Sequence, residues 1–332
     1  MTIIVTGVAG FIGSHVATRL LAERHEVIGL DVVNDYYDVR LKEARLARLQ
    51  ALPGFQFHRV NLADNDAVNK LLGPVSDSIT EVVHLAAQAG VRYSLINPYA
   101  YVESNITAQI VLLEAARRMP NLRHMVYASS SSVYGGNTKI PFSVDDSVDQ
   151  PISLYAATKR ADELFGYTYA HLHKIPLTGL RFFSVYGPWG RPDMAAYIFT
   201  DAILNGKTIQ LFNNGKMKRD FTYIDDIVNG VLAALRRVPQ AKDGQPAHAV
   251  YNLGNARSEV LADFVSILEN LLGKKAITAL APMQPGDVPE SFADIAASTR
   301  DLGYSPRVSI DKGLAHFVDW YREYHKLSVK AD

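Results

Sequence analysis

A short β-branched run, Thr2-Ile3-Ile4-Val5-Thr6, breaks at Gly7 and opens directly into a helix-periodic segment through Phe11, Ile12, Val16, Leu20 and Leu21. The order is strand, tight turn, helix N-terminus, and it commits the chain to a βα unit. A helix N-terminus exposes unpaired N–H groups and a positive dipole end, so this turn suits a pyrophosphate. Gly7 can take the tight turn, Gly10 lets the backbone approach a phosphate, and Gly13 lets the helix pack on the strand. The spacing is G-x-x-G-x-x-G rather than G-x-G-x-x-G, and a glycine turn can also merely punctuate a βα unit. The next strand, Glu26 to Asp31, ends in an acid 18 residues after Gly13. A carboxylate there can accept both hydroxyls of an adenosine ribose and would repel a 2′-phosphate, which points to NAD rather than NADP. An aspartate that caps the following segment is the plainer alternative.

Strand and helix patterns alternate from here to about residue 185. Strands are predicted at 55–60, 82–87, 123–128 and 177–183. Helices are predicted at 38–50, with Arg40, Lys42, Glu43, Arg45 and Arg48 on a solvated charged face, at 98–118, with Ile106, Ile110 and Leu113 on one stripe, and at 152–173. The alternation implies an α/β fold, a doubly wound parallel (Rossmann) sheet with helices on both faces. After Tyr186 the elements shorten and the loops turn rich in Gly and Pro, while Val250 to Leu253 reads as a strand that returns to the main sheet. The expected division is a dinucleotide-binding domain over 1–186, with a returning segment near 220–255, and a smaller interleaved lobe over most of 187–332.

With 332 residues, 48% of them hydrophobic and 20% charged, the composition is globular. The net charge of +0 and the absence of a long basic run make nucleic acid and acidic membrane surfaces poor partners. There is no cysteine, which excludes disulfides, a thiolate nucleophile and cysteine metal sites. The ten histidines are scattered without acidic companions, and no metal is expected. No apolar stretch approaches the ~20 residues of a spanning helix, and the chain starts almost at once in a core strand. Both point to a soluble, cytoplasmic protein.

Tyr155 and Lys159 are four apart on the helix predicted at 152–173, so the phenol and the ammonium share a face. A cation beside a phenol favours its deprotonated form, and a tyrosine so placed can take a proton from a sugar hydroxyl. Such a pair also arises by chance. The context argues for chemistry: a dinucleotide-type βα unit, and a serine cluster, Ser129 to Ser132, at the C-terminal end of the strand just upstream. Ser130 can hydrogen-bond the same hydroxyl. Arg219 is a candidate to bind a diphosphate in two places, with a surface salt bridge as the plainer alternative.

Together these motifs resemble the extended short-chain dehydrogenase/reductase family, in its nucleotide-sugar epimerase branch. The likeness covers nearly the whole chain, including Arg219-Asp220-Phe221-Thr222-Tyr223 and Gly286-Asp287-Val288-Pro289. It implies an NAD-dependent enzyme with Ser130, Tyr155 and Lys159 as catalytic residues. Lys159 would also bind the nicotinamide ribose. Gly7, Gly10, Phe11, Ile12, Gly13, Asp31, Asn61, Leu62, Ala86, Ala87 and Gln88 would line the cofactor site. An aspartate is usual in the family where Asn61 stands.

Dehydratases and decarboxylases of the branch carry acids in the serine cluster, where this chain has Ser131 and Ser132. Epimerases acting on UDP-glucose and UDP-galactose usually have Asn at the place of Ser184. Glucuronate 4-epimerases are similar over Gln88 to Ser94, Arg181 to Pro188 and Arg191 to Ala195. That likeness implies C4 epimerisation between UDP-glucuronate and UDP-galacturonate. Gln88, Arg92, Ser131, Ser132, Ser184, Arg191, Arg219 and Asp287 would then contact the substrate, with Ser184 and Arg191 on its carboxylate. A UDP-glucose or N-acetylated 4-epimerase is the main alternative, followed by a nucleotide-sugar dehydratase or decarboxylase and by an NAD-binding protein without catalysis. Relatives pair long helices into a dimer, which implies a homodimer here.

Overall fold

The computed structural model describes residues 1–284 and 286–327. The first half alternates as the spacing predicts: β1 (Thr2–Thr6), α1 (Phe11–Ala22), β2 (Glu26–Asp31), α2 (Val39–Gln50), β3 (Phe55–Arg59), α3 (Asn65–Leu72), β4 (Ile79–His84), α4 (Pro98–Tyr101), α5 (Ala108–Ala116), β5 (His124–Ser130), α6 (Leu154–His173) and β6 (Leu177–Phe182). The second half holds β7 (Ser184–Tyr186), α7 (Ala195–Asn205), β8 (Thr208–Leu211), β9 (Lys218–Arg219), β10 (Phe221–Tyr223), α8 (Ile224–Arg236), β11 (His248–Leu253), β12 (Glu259–Val260), α9 (Leu261–Leu272), β13 (Ile277–Leu280), β14 (Glu290–Ser291), α10 (Ala296–Leu302) and α11 (Ile310–Tyr324).

Seven strands form one parallel sheet in the order β11-β6-β5-β4-β1-β2-β3. Strand order therefore reverses beside β1, at its junction with β4. Ligands of open α/β sheets sit outside the strand C-termini at such a reversal. Successive residues of a strand face opposite sides. Accordingly Ile3 and Val5 join a core with α1, α8 and α11, while Ile4 joins a separate core with α3, α5 and α6. The returning strand is real: β11 pairs with β6 in parallel over its whole length. The smaller sheets, β7 with β10, β8 with β13, and β9 with β12 and β14, stand over the C-terminal edge.

Two sequence readings change. The helix at 98–118 is not uniform, because a π-helical stretch, Val102–Thr107, joins α4 to α5. Its register shift breaks the expected stripe: Leu113 is buried, but Ile110 is exposed. The charged face of α2 is not all solvated either. Lys42 is 6% exposed and Arg45 is 0% exposed; Lys42 lines the cavity, and Arg45 is turned onto backbone carbonyls.

Candidate active site

A cavity of about 960 Å³ opens over the C-terminal ends of β1, β2, β4, β5 and β6. Every residue singled out above as a site candidate lines it. At one end lies the glycine turn. Gly7 has φ +68°, and a Cβ there would meet Ala86 N at 2.7 Å. A Cβ on Gly13 would sit 2.1 Å from Gly7 O, and one on Gly10 would sit 2.8 Å from it. Only glycine fits these positions. Gly10 is the N-cap of α1 and offers no side chain to close the helix end, so the first-turn N–H groups are left for a ligand. Asp31 stands beside the turn, Oδ2 accepting from Ala9 N (3.0 Å) and Oδ1 from Val33 N (2.7 Å). Burial raises its carboxyl above the usual range, against the pull of those two amides. Each oxygen keeps a lone pair for a ribose hydroxyl. A cradle that any Cβ would fill, an uncapped helix end and a carboxylate beside them fit an NAD molecule. Asn61 organises the loop after β3, its Nδ2 donating to Glu103 Oε1 (2.8 Å) and its Oδ1 accepting from Ala63 N (3.0 Å).

The middle of the cavity is built on β4, β5 and α6. The loop after β4 carries Ala86, Ala87 and Gln88. It is pinned by Asn105, which accepts from Gln88 N (2.8 Å) and donates to Gln88 O (3.1 Å) and to Thr158 Oγ1 (2.9 Å). Ser153 caps α6 by accepting from Ala156 N at 3.1 Å, which sets Tyr155 in the first turn at the cavity wall. One turn on, Lys159 Nζ donates to Ala128 O (2.9 Å) and to Asp162 Oδ2 (3.0 Å). Burial pushes the Asp162 carboxyl up to about 6, opposed by the Lys159 ammonium. Ser130 Oγ accepts from Ser132 N at 3.1 Å and so keeps its own proton to donate. Beneath this floor Glu163 accepts from Ser129 (2.6 Å) and takes both prongs of Arg181 (2.8 and 2.9 Å). Against the cost of burial, Arg181 holds the Glu163 carboxyl low.

At the far end Asp287 lies between two guanidiniums, 3.4 Å from Arg92 and 3.8 Å from Arg219. Arg219 also donates to Lys218 O at 2.8 Å, and Arg92 lies over the Phe212 ring at 4.7 Å. Two cations against one carboxylate leave positive charge for a diphosphate. The remaining wall comes from Ser184 on β7 and Arg191 in the loop before α7.

Several lining residues were not read from the sequence: Tyr36, Lys42, Asp193, Gln210 and Phe212. Arg45, which lies behind the cavity wall, is the most consequential residue missed. It donates to Ala9 O (3.0 Å), Tyr37 Oη (2.7 Å), Trp189 O (3.1 and 2.6 Å) and Gly190 O (3.2 Å). It thereby ties the glycine turn to the loop that carries Arg191. Among the described residues there is no cluster of three or more metal-ligating side chains, and no helix is long and apolar enough to cross a membrane.

Residues 3–254 match the model of the NAD dependent epimerase/dehydratase family. A probable UDP-glucuronate 4-epimerase of Rhizobium meliloti is 45% identical over 339 residues, covering 98% of each chain. UDP-glucuronate 4-epimerase 4 of Arabidopsis thaliana is 49% identical over 341 residues, covering 100% of this chain and 77% of its own. The crystal structure of UDP-glucuronic acid 4-epimerase from Bacillus cereus, in complex with UDP-glucuronic acid and NAD, superposes with a TM-score of 0.88 at 36% identity, covering 98% of this chain and 100% of that one. With its parallel sheet, its glycine cradle and these likenesses, the chain belongs to the NAD dependent epimerase/dehydratase family.

Proposed function

We propose that this chain interconverts UDP-glucuronate and UDP-galacturonate by inverting C4. One observation carries the reading: Arg191 stands in the same cavity as Tyr155 and Lys159, and the serine cluster between them holds no acid. NAD held by the Gly7-Gly10-Gly13 turn and Asp31 would supply a hydride acceptor and donor for C4, by way of a 4-keto sugar. The chain's own groups do the rest. Tyr155 removes the O4 proton and later gives it back, while Ser130 donates a hydrogen bond to the same oxygen. Lys159, held by Asp162 and Ala128 O, stands beside the reacting end. Arg92 and Arg219 hold the diphosphate, with Asp287 spacing them.

The 4-keto uronate is a β-keto acid. Loss of carbon dioxide would move the C5–C6 bond pair into the neighbouring carbonyl as an enolate, which then takes a proton at C5. That happens only when the C5–C6 bond aligns with the carbonyl π system. A guanidinium that grips the carboxylate in two places, with Ser184 beside it, prevents the alignment. Ser131 and Ser132 supply no second acid, which argues against dehydration.

Two organisational readings accompany this one. Residues 1–186 with the returning 220–255 segment form the cofactor domain, and 187–332 mainly form the sugar-nucleotide lobe. The chain pairs as a homodimer, supported by the exposed apolar side chains Leu95, Ile96, Tyr99, Leu164 and Leu172, and light scattering checks it. The test of function is incubation of purified protein with UDP-glucuronate and no added cofactor. UDP-galacturonate should accumulate, and an absorbance scan should show bound nicotinamide. Conversion of UDP-glucose with UDP-glucuronate left untouched would refute the reading.

A further inference from the structure

Arg191 already holds one carboxylate. Its Nε donates to Asp193 Oδ1 at 3.0 Å and its Nη2 to Asp193 Oδ2 at 2.5 Å. Asp193 therefore covers the side edge of the guanidinium. The Tyr36 hydroxyl donates to the same Oδ2 at 3.1 Å, and the Tyr36 ring packs on Tyr93 with centroids 4.8 Å apart. Among the described residues the guanidinium has no other hydrogen-bond acceptor. Both protons of Nη1 and the second proton of Nη2 are left, and one proton from each nitrogen forms the other bidentate edge of the fork. Arg191, Asp193 and Tyr36 all line the cavity.

We propose that Asp193 is a positioning residue, which clamps the side edge of Arg191 so that the Nη1–Nη2 edge faces the sugar carboxylate. The proposal rests on the reading of Arg191 given above. An arginine side chain has many rotamers, and a two-point grip demands that the guanidinium plane be fixed before the ligand arrives. The loop geometry supports a fixed clamp over a displaceable plug. Asp193 follows Arg191 by two residues, and the loop is closed by Gly190 N to Gly187 O (3.0 Å) and Met194 N to Arg191 O (3.2 Å). Arg45 holds its Trp189 and Gly190 carbonyls. A carboxylate pushed off Arg191 would lose two charge-assisted bonds in a partly buried place, which is costly.

The test is Asp193→Asn, which keeps the shape and removes the charge. Calorimetric titration of the purified protein with UDP-glucuronate should show an affinity about tenfold weaker than wild type, while UDP binding stays within about twofold. Carbon dioxide released per turnover should rise. Tyr36→Phe should move both quantities the same way by less, and it carries the test if Asp193→Asn loses its fold. Tighter binding of UDP-glucuronate by Asp193→Asn would make Asp193 a competitor and overturn the proposal. An equal loss for UDP-glucuronate and UDP would also overturn it. A wild-type chain that leaves UDP-glucuronate unepimerised removes the underlying reading of Arg191 instead, and does so before any variant is made.

Discussion

Arg45→Met is the sharpest perturbation of the architecture, because it keeps volume and removes every donor. In the native chain Arg45 is fully buried and satisfies the carbonyls of Ala9, Trp189 and Gly190 besides the Tyr37 hydroxyl. Each buried acceptor left without a donor costs about 1–3 kcal/mol, so three carbonyls give about 3–9 kcal/mol. Removing a buried charge returns part of its desolvation cost, and the nearby cavity admits water to some of the orphaned groups. The lower end, about 3 kcal/mol, is the expected loss. Urea unfolding followed by tryptophan fluorescence measures it, since Trp189 and Trp320 lie 5.4 Å apart between centroids and both report on this region. The midpoint should fall at constant slope. Because Arg45 bridges the glycine turn and the Arg191 loop, bound nicotinamide should also fall in the purified protein. Arg45→Lys should lose most of the same stability, since one ammonium cannot reproduce a planar fork that spans two loops. A loss below about 1 kcal/mol, the worth of one ordinary hydrogen bond, with cofactor content unchanged would show that the two loops hold each other without this residue.

Arg191→Ala should reduce epimerisation of UDP-glucuronate by roughly 30–100-fold, the worth of a charge-assisted bidentate contact, and shift product toward the decarboxylated pentose; unchanged turnover and product would remove Arg191 from the carboxylate. Gly13→Ala should abolish cofactor retention, because its Cβ would lie 2.1 Å from Gly7 O, whereas Gly206→Ala, with φ +64° but nothing within 4 Å, should cost about 1 kcal/mol of stability and leave absorbance from bound nicotinamide intact. Asp162 carries the pH prediction: its carboxyl is raised by burial from 3.8 to about 6, so its stabilising contribution is present below pH 3.8 and is lost as pH rises through 6. The melting temperature of Asp162→Asn relative to wild type should therefore climb between pH 4 and pH 7, and a difference that does not vary with pH would refute the assignment.

Residues that lie in one contiguous motif were legible in the sequence. Gly7, Gly10 and Gly13 announce their own turn, Asp31 ends a recognisable strand, and Tyr155 with Lys159 declare a shared helix face by spacing alone. The seven-stranded sheet followed from alternation, and so did its returning strand. What stayed hidden depends on partners far along the chain. Helical periodicity sends charges outward, so Lys42 and Arg45 read as solvent-facing. The groups that draw Arg45 inward are backbone carbonyls at 189 and 190, which no side-chain pattern reveals. Tyr36 meets Asp193 across 157 residues of sequence. The stripe expected through Ile110 failed because a π-helical turn shifts register without any proline or glycine to mark it. Phe212 reaches the cavity only because the β8–β13 pair stands over the sheet edge.

Charge along the cavity explains why an acidic sugar is the better occupant. At the diphosphate end Arg92 and Arg219 face one aspartate. At the other end Lys42, Arg45 and Arg191 face Asp31, Asp35 and Asp193. The floor between them presents hydroxyls: Ser130, Ser131, Ser132, Ser184 and Tyr155. A neutral sugar nucleotide leaves the outer edge of the Arg191 guanidinium without an acceptor. A uronate supplies one. Since Arg191 is only 21% exposed at its side chain, bulk salt screens that end less than it would a surface pair. Discrimination between UDP-glucuronate and UDP-glucose should therefore survive high ionic strength. A preference that collapsed in salt would place the selecting cation on the surface rather than at Arg191.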